Sequence, residues 1–177
     1  MKLNVWALLI FFLISFSNLA QDKQQVQDTN NQVTTLYFIR HAEKDRSDKT
    51  NRDPHLTEIG LERANHWNEI LKHVDFDAVY STNYYRTKET ALPTANRNKV
   101  ELIIYDTNNL NGEKLIIDNL GKTVLVVGHS NTTPRFVNSV IGQNKYSDID
   151  DSNNGNIYVV TVVGETITDQ VLEINPR

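Results

Sequence analysis

Four short apolar runs, separated by segments with helical spacing, constrain the fold of this chain more than any other feature. The runs are rich in β-branched and aromatic residues, which favours strands covered on both faces. The apolar residues between them recur at intervals of three and four, which favours amphipathic helices. Strands that alternate with helices build a mostly parallel sheet with helices on both faces. We therefore predict an α/β fold, a three-layer αβα sandwich with a mostly parallel central sheet. The four predicted strands are Leu36–Ile39, Asp77–Ser81, Val100–Tyr105 and Thr123–Val127.

Capping and turn residues mark where the intervening helices begin and end. Thr57 is a good N-cap for a long amphipathic helix, and Thr82 or Asn83 should cap the next helix, which Pro93 should bend or end. Pro134 suits the first turn of a later helix. The remaining predicted elements are a short helix at 113–120 closed by Gly121, a helix at 135–141, and an edge hairpin of 157–163 with 166–174.

The amino-terminal segment has the composition of a targeting signal. Lys2 precedes an apolar run, Val5–Ile14, and a more polar stretch then ends at Ala20. This order is typical of a secretory signal peptide, with an uncleaved amino-terminal anchor as the alternative. We predict a signal peptide at 1–20, a flexible tether rich in Gln, Asn and Asp at 21–32, and one domain at 33–177. The protein should therefore be exported, to the periplasm or the medium, with no stable membrane insertion after cleavage.

Charge and cysteine content exclude several classes of partner and modification. The formal net charge is −4, and loss of Lys2 with the signal peptide takes it to −5. Such a balance gives no support to nucleic-acid binding. Because the chain contains no cysteine, it has neither a disulfide framework nor a lipid-modified cysteine. The sequence does not indicate an oligomeric state.

Reactive side chains stand directly after, or close behind, the predicted strands. Arg40 and His41 follow the first, Arg86 comes shortly after the second, Asp106 follows the third, and His129 follows the fourth. The carboxyl ends of parallel strands share one edge of the sheet, so these side chains should converge there. Arginines bind phosphate oxygens, a neutral imidazole attacks phosphorus, and a carboxylic acid protonates the leaving oxygen. The set predicts phosphoryl transfer on a small phosphorylated substrate, without a metal or other cofactor.

Four motifs in this order resemble the histidine phosphatase superfamily, in its phosphoglycerate-mutase-like branch 1. The resemblance covers about residues 35–142. The motifs are Arg40-His41-Ala42-Glu43, Leu56-Thr57-x-x-Gly60-x-x-Arg63-Ala64, Tyr80-Ser81-x-x-x-x-Arg86-Thr87-x-x-Thr90-Ala91 and Val127-Gly128-His129-Ser130.

The resemblance implies a role for each of these polar side chains. His41 is expected to be the nucleophile that becomes phosphohistidine, while Arg40, Arg86 and His129 bind the phosphoryl group. The general acid of many relatives is a glutamate shortly after the third strand, and in that neighbourhood we predict Asp106. Its rivals are Glu43, Glu101 and Glu113. Small relatives that cleave phosphohistidine lack such an acid.

These expectations favour an exported, metal-independent phosphatase that hydrolyses phosphomonoesters through a covalent phosphohistidine. Two alternatives remain open: a non-catalytic protein that binds phosphorylated ligands on the same fold, and a phosphohistidine phosphatase. A serine hydrolase would need a Gly-x-Ser-x-Gly motif, which the segment at 128–132 does not supply. Substrate specificity should come from the loops at 44–54 and 106–111.

Overall fold

The structure, a computed structural model, describes residues 32–174 and shows six strands and four helices in that range. The predicted signal peptide and residues 21–31 of the predicted tether lie outside the described residues. The elements are β1 (Val33–Arg40), α1 (Glu58–Ile70), β2 (Ala78–Ser81), α2 (Tyr85–Asn98), β3 (Leu102–Ile104), α3 (Gly112–Asp118), β4 (Thr123–Gly128), α4 (Thr132–Ile141), β5 (Asn156–Val163) and β6 (Thr166–Glu173).

All six strands form one sheet in the order β3-β2-β4-β1-β5-β6. The pairs β3–β2, β2–β4 and β4–β1 are parallel, whereas β5 pairs antiparallel with β1 and β6 with β5. The predicted edge hairpin is therefore confirmed, and Gly164 supplies the positive φ of 56° at its turn. The order places β1 and β4, which are far apart in the chain, side by side in the middle of the sheet.

Both faces of the sheet are covered by helices, which confirms the predicted three-layer α/β fold. In β4, Val124 and Val126 pack with α3 and α4, while Leu125 and Val127 pack with α1 and α2. Successive side chains of a strand point to opposite faces, so a strand buried on both faces must be apolar throughout. This is why the run that follows Thr123 contains only apolar residues.

The start of α2 differs from the sequence prediction. Neither Thr82 nor Asn83 caps this helix: Tyr84 occupies the N-cap position without a side-chain cap bond. The Asp53 carboxylate instead accepts a hydrogen bond from the Tyr85 backbone N–H at 2.9 Å. The cap is thus supplied by a residue 32 positions earlier, which local sequence cannot reveal.

Of the two outcomes predicted for Pro93, a bend or an end of α2, the structure excludes the end, because the helix continues to Asn98. Proline removes one backbone hydrogen bond. Buried Thr94 and Ala95 hold the segment beyond it against the rest of the protein. Arg97 in the last turn adds contacts to the carbonyls of Leu71, Lys72 and Val74, at 2.9, 2.6 and 3.1 Å.

The other boundaries follow the prediction within a few residues. Thr57 is the N-cap of α1 and accepts a hydrogen bond from the Gly60 N–H at 3.1 Å. Pro134 lies in the first turn of α4, as predicted, although the helix begins at Thr132. β3 is shorter than expected, and α3 ends before Gly121. Among residues 32–174, no helix is long and apolar enough to cross a membrane.

Candidate active site

The two central strands bring the two site histidines together. Arg40 on β1 pairs in register with Gly128 on β4, and the His41 N–H donates to the Gly128 carbonyl at 2.9 Å. The next residue after each strand is a histidine, and the rings of His41 and His129 lie 5.5 Å apart between centroids. A Cβ at Gly128 would lie 2.7 Å from both the Thr133 and Tyr105 hydroxyl oxygens, so any larger residue would displace these side chains.

The His41 ring is buried and held in one tautomer. Its Nδ1 lies 2.7 Å from the Ala42 carbonyl oxygen. Because a carbonyl can only accept, Nδ1 carries the proton and Nε2 keeps its lone pair. Burial above all, with help from His129, Arg40 and Arg86, lowers the pKa of His41 to about 3. The ring is therefore neutral near pH 7, as a nucleophile requires.

The His129 ring is fixed by a hydroxyl and an aromatic side chain. Its Nε2 lies 3.0 Å from Thr82 Oγ1, and Tyr84 packs edge-on against it at 5.2 Å between centroids. Burial, and then the charges of Arg86, Lys44 and Arg40, lower the pKa of His129 to about 4. Both histidines are thus neutral side chains beside fixed positive charge.

Arg86 presents unused donors in the same place. Its side chain comes from the first turn of α2 and lies over the Tyr84 ring, 4.3 Å from the centroid. Its Nε and Nη1 are buried and have no hydrogen-bond partner among the described residues. Nη1 lies 3.6 Å from Asp53 Oδ1, beyond hydrogen-bonding distance. Buried guanidinium N–H groups without partners suit an anionic ligand.

Arg40 is deeply buried, with 2% of its surface exposed, and it is largely occupied by a loop of the protein itself. Its Nη1 donates to the carbonyls of Asp150, Asp151 and Asn153 at 2.9, 3.0 and 2.8 Å. Its Nη2 contacts the Asp151 carboxylate at 2.6 Å. Arg40 Nε remains buried without a partner among the described residues. The arginine therefore anchors the segment between α4 and β5 and keeps one buried donor unused.

Residues of the second motif, 56–64, hold Glu43 of the first motif in place. Arg63 Nε donates to both oxygens of the Glu43 carboxylate, at 2.8 and 2.9 Å. The Thr57 N–H donates to the Glu43 carbonyl at 2.9 Å, and a Cβ at Gly60 would lie only 2.2 Å from that carbonyl oxygen. These contacts fix the chain just after His41, which explains why the motif combines threonine, glycine and arginine. They also engage Glu43, one of the predicted rivals for the general acid.

The third motif supports the same loop from the other side. Thr90 Oγ1 accepts a hydrogen bond from the Ala42 N–H at 2.9 Å and donates to the Arg86 carbonyl at 2.7 Å. Asn154 Nδ2 donates to the His41 carbonyl at 2.8 Å. The backbone at His41 and Ala42 is thus held by buried hydrogen bonds.

The four predicted nucleophile and phosphate-binding residues line one cavity of about 320 Å³. Lys44 joins them, and partial burial together with the charge of Arg86 lowers its pKa. Ser130, Asn131 and Thr132, the three residues after His129, also line this cavity. Its lining residues are Arg40, His41, Lys44, Tyr84, Arg86, Thr107, His129, Ser130, Asn131, Thr132 and Asp151.

Asp106, the predicted general acid, lies in an adjoining cavity of about 360 Å³ that shares Tyr84 and Thr107 with the first. Its carboxylate is exposed and accepts hydrogen bonds from the Asn108 backbone N–H and side-chain amide, at 2.9 and 3.1 Å. Its role as acid stays a prediction. The rivals Glu101 and Glu113 are exposed and line neither cavity.

Sequence reasoning missed the contribution of residues 150–154. This segment looks like an ordinary polar loop, because runs of Asp, Ser and Asn are common in solvated turns. Its contacts to Arg40 and His41 span more than 100 residues, so no local signal announces them. Across residues 32–174, no group of three or more His, Asp or Glu side chains could hold a metal ion.

Comparison with known proteins agrees with the motifs. Residues 36–107 match the family model described as the histidine phosphatase superfamily (branch 1). This range contains the first three of the four motifs, so the resemblance found in the sequence is confirmed there. No protein in the curated set matches the sequence significantly.

Solved structures show the same fold at low sequence identity. A phosphoglycerate mutase from Bacillus anthracis is 16% identical, with a TM-score of 0.63 over 82% of this chain and 95% of that one. A phosphoserine phosphatase from Entamoeba histolytica, in complex with phosphoserine, is 20% identical, with a TM-score of 0.56 over 76% and 96%. The protein histidine phosphatase SixA, complexed with tungstate, is 14% identical, with a TM-score of 0.59 over 78% and 96%.

Proposed function

We propose that this protein is an exported phosphatase that hydrolyses phosphomonoesters through a phosphohistidine formed on His41. The arrangement around His41 carries the proposal: a buried imidazole, whose Nδ1–H donates to the Ala42 carbonyl, lies beside two arginines with unpaired buried N–H groups. A neutral nucleophile and preformed donors for phosphate oxygens are what such a reaction requires. The Entamoeba phosphoserine phosphatase gives one example of a phosphatase on this fold.

In this mechanism, His41 Nε2 attacks phosphorus, the bond to the leaving oxygen breaks, and that oxygen takes a proton from Asp106 as the predicted general acid. Arg40 Nε and the Nε and Nη1 groups of Arg86 donate to the phosphoryl oxygens and offset the charge that develops. The positive charge of His41 in the phosphohistidine is stabilised at Nδ1 by the Ala42 carbonyl. Water then attacks phosphorus and gives a proton to the ionised Asp106, the bond between phosphorus and His41 Nε2 breaks, and phosphate and neutral His41 are released. The two arginines and Lys44 supply the positive charge, so we propose that no metal ion is needed.

The decisive experiment compares the mature wild type with His41→Ala, using a chromogenic aryl phosphate in the presence of a chelator. We expect turnover by the wild type, and a loss of at least about 1,000-fold in kcat for the variant because the nucleophile is gone. His66→Ala is a matched control, because this histidine lies on α1 outside the cavity and should not affect activity. Full activity in His41→Ala, or activity that disappears with the chelator, would contradict the proposal.

A phosphohistidine phosphatase is the second candidate, and the acid-base character of the cavity favours it. Asp151 is the carboxylate that lines the cavity, and bonds from Arg46 and Arg40 lower its pKa. An ionised carboxylate cannot protonate a leaving group, so good leaving groups such as an imidazole would react best. SixA, which shares the fold, is a protein histidine phosphatase. Against this candidate stands the predicted export, since we expect phosphohistidine relays inside the cell.

The acid can be tested with aryl phosphates whose leaving groups differ in pKa. If Asp106 protonates the leaving oxygen, Asp106→Asn should slow poor leaving groups far more than good ones. An equal effect on both would remove Asp106 from the mechanism and favour the second candidate. A non-catalytic binder would instead bind phosphate with no turnover of any of these substrates.

Export is part of the proposal and rests on the predicted signal peptide, which lies outside the described residues. Expression of the full chain with its own amino terminus should give a mature protein that begins near Gln21 in the exported fraction. Recovery of the full-length chain from membranes would show an anchor instead.

A further inference from the structure

Asp151 places a negative charge in the cavity that is proposed to bind phosphate. Its Oδ1 lies 2.6 Å from Arg40 Nη2, and its Oδ2 lies 2.8 Å from Arg46 Nη2. The carboxylate lines the same cavity as His41, Arg86 and His129, and its side chain is 67% exposed. It therefore faces the open part of the cavity, where a ligand would enter.

Asp151 is not needed to orient Arg40. The Arg40 Nη1 group already donates to three backbone carbonyls of the segment 150–153. Since the guanidinium is planar and rigid, an anchored Nη1 together with complete burial fixes the remaining nitrogens. The Asp151 carboxylate adds charge more than geometry.

The carboxylate and a phosphoryl ligand compete for the same positive charge. Hydrogen bonds from Arg46 and Arg40 hold the pKa of Asp151 below its ordinary value, so it stays ionised at neutral pH. A phosphoryl group in the cavity would meet Asp151 as a like charge and would share Arg40 with it. Like charges at such a site weaken binding, and the penalty grows with the charge of the ligand.

We propose that Asp151 is a specificity-determining residue that competes internally with anionic ligands and selects against those that carry a second anionic group near the phosphoryl group. The preferred substrates are then phosphorylated compounds whose remaining part is uncharged or cationic. This inference deepens the proposed function, and its statement about preferred substrates rests on that function. The expected effect of Asp151 on anion affinity does not require turnover.

Calorimetric titration with two non-reacting anions tests the proposal. The probes are inorganic phosphate and methylenediphosphonate, which adds a second, non-hydrolysable phosphonate group. Asp151→Asn keeps an oxygen that can accept from Arg40 but removes the charge. We expect it to bind phosphate about three- to tenfold more tightly and methylenediphosphonate by a larger factor, with smaller gains at high salt.

Asp148→Asn is the matched control, because it changes the net charge equally at an exposed carboxylate of the same segment that does not line the cavity. It should change both affinities by less than about twofold. Unchanged or weaker binding by Asp151→Asn would overturn the proposal and make Asp151 a positioning residue for Arg40. The affinities of Arg46→Gln and of the double variant Arg46→Gln/Asp151→Asn give a second comparison of Asp151 with asparagine, without the ion pair to Arg46.

A kinetic arm separates failure of this proposal from failure of the proposed function. The wild type should prefer phosphoethanolamine over phosphoglycolate in kcat/KM, and Asp151→Asn should narrow that ratio. If no substrate is turned over, the phosphatase proposal fails while the binding result still decides the role of Asp151. If turnover occurs and the ratio does not narrow, the selectivity proposal fails alone.

Discussion

Hydrogen bonds to the backbone around His41 fix the position of this residue, the proposed nucleophile. Within one buried helix face, Thr90 and Thr94 present two hydroxyls in different situations. Thr90 Oγ1 accepts from the Ala42 N–H at 2.9 Å, whereas Thr94 Oγ1 has no partner among the described residues. Both side chains are almost completely buried. The same substitution at the two sites therefore separates the contribution of a hydrogen bond from that of packing.

We expect Thr90→Val to lower the free energy of unfolding by about 1–3 kcal/mol, because the buried Ala42 N–H loses its acceptor. The rate should fall as well, since Ala42 also orients His41 through its carbonyl. Urea denaturation and kcat/KM measure the two effects.

Thr94→Val, one turn later on the same helix, serves as the control. It removes a hydroxyl without a hydrogen-bond partner and should leave stability unchanged or raise it. Equal losses in the two valine variants would show that the Thr90 hydrogen bond has no special role.

At the scale of elements, α2 shows tertiary packing prevailing over local preference. The helix has a proline in its interior and no side-chain cap of its own, yet it runs for 14 residues. Asp53 caps its start, and Arg97 joins its end to the carbonyls after α1. The first turn of this helix carries Arg86, so its position is also a requirement of the site.

Pro93→Ala should stabilise the protein by about 1–2 kcal/mol, because it restores a backbone N–H within the helix and removes a ring that clashes with the preceding turn. Part of that gain is offset, since the unfolded chain becomes more flexible. Thermal denaturation measures the change, and activity should be unaffected.

Asn96→Ala, at an exposed position in the same helix, is the comparison for Pro93→Ala. It should stabilise by no more than about 0.7 kcal/mol, the ordinary difference in helix propensity. A loss of stability in Pro93→Ala would mean that packing of the proline ring outweighs the missing hydrogen bond.

At the scale of the whole molecule, the two buried histidines make stability depend on pH. The folded-state pKa values of His41 and His129 are about 3 and about 4, both lowered mainly by burial from 6.5. Between those values and 6.5, the unfolded chain binds more protons than the folded one. The free energy of unfolding therefore falls as the pH falls below about 6.5.

We expect the wild type to lose a few kcal/mol of stability between pH 7 and pH 5, as measured by urea denaturation at several pH values. His41→Asn should show a shallower dependence because one of the two titrating rings is gone. Carboxylates with lowered pKa values also reduce the free energy of unfolding as the pH falls, but they do so at lower pH. The loss between pH 7 and pH 5 therefore reports mainly on the histidines. If the free energy of unfolding depended on pH equally in the wild type and in His41→Asn, the lowered pKa of His41 would be contradicted.

The class of fold and the order of its elements could be predicted because they depend on local pattern. The continuous apolar run of β4 indicates a strand covered on both faces, and Thr57 marks the start of α1 through a bond to Gly60 within its own turn. The candidate site was predictable to the same extent, since Arg40, His41, Arg86 and His129 follow strands whose carboxyl ends must share an edge.

Contacts between distant segments could not be predicted in the same way. The strand order that sets β1 beside β4, the Asp53 cap of α2, and the place of Asp151 beside Arg40 all depend on which surfaces pack together. The sequence by itself determined that Arg40, His41 and His129 would lie along one edge of a parallel sheet, because they directly follow strands that alternate with helices. Only the tertiary structure decided that the carboxylate of Asp151, from a remote loop, forms an ion pair with Arg40, because that contact depends on how distant segments of the chain pack together.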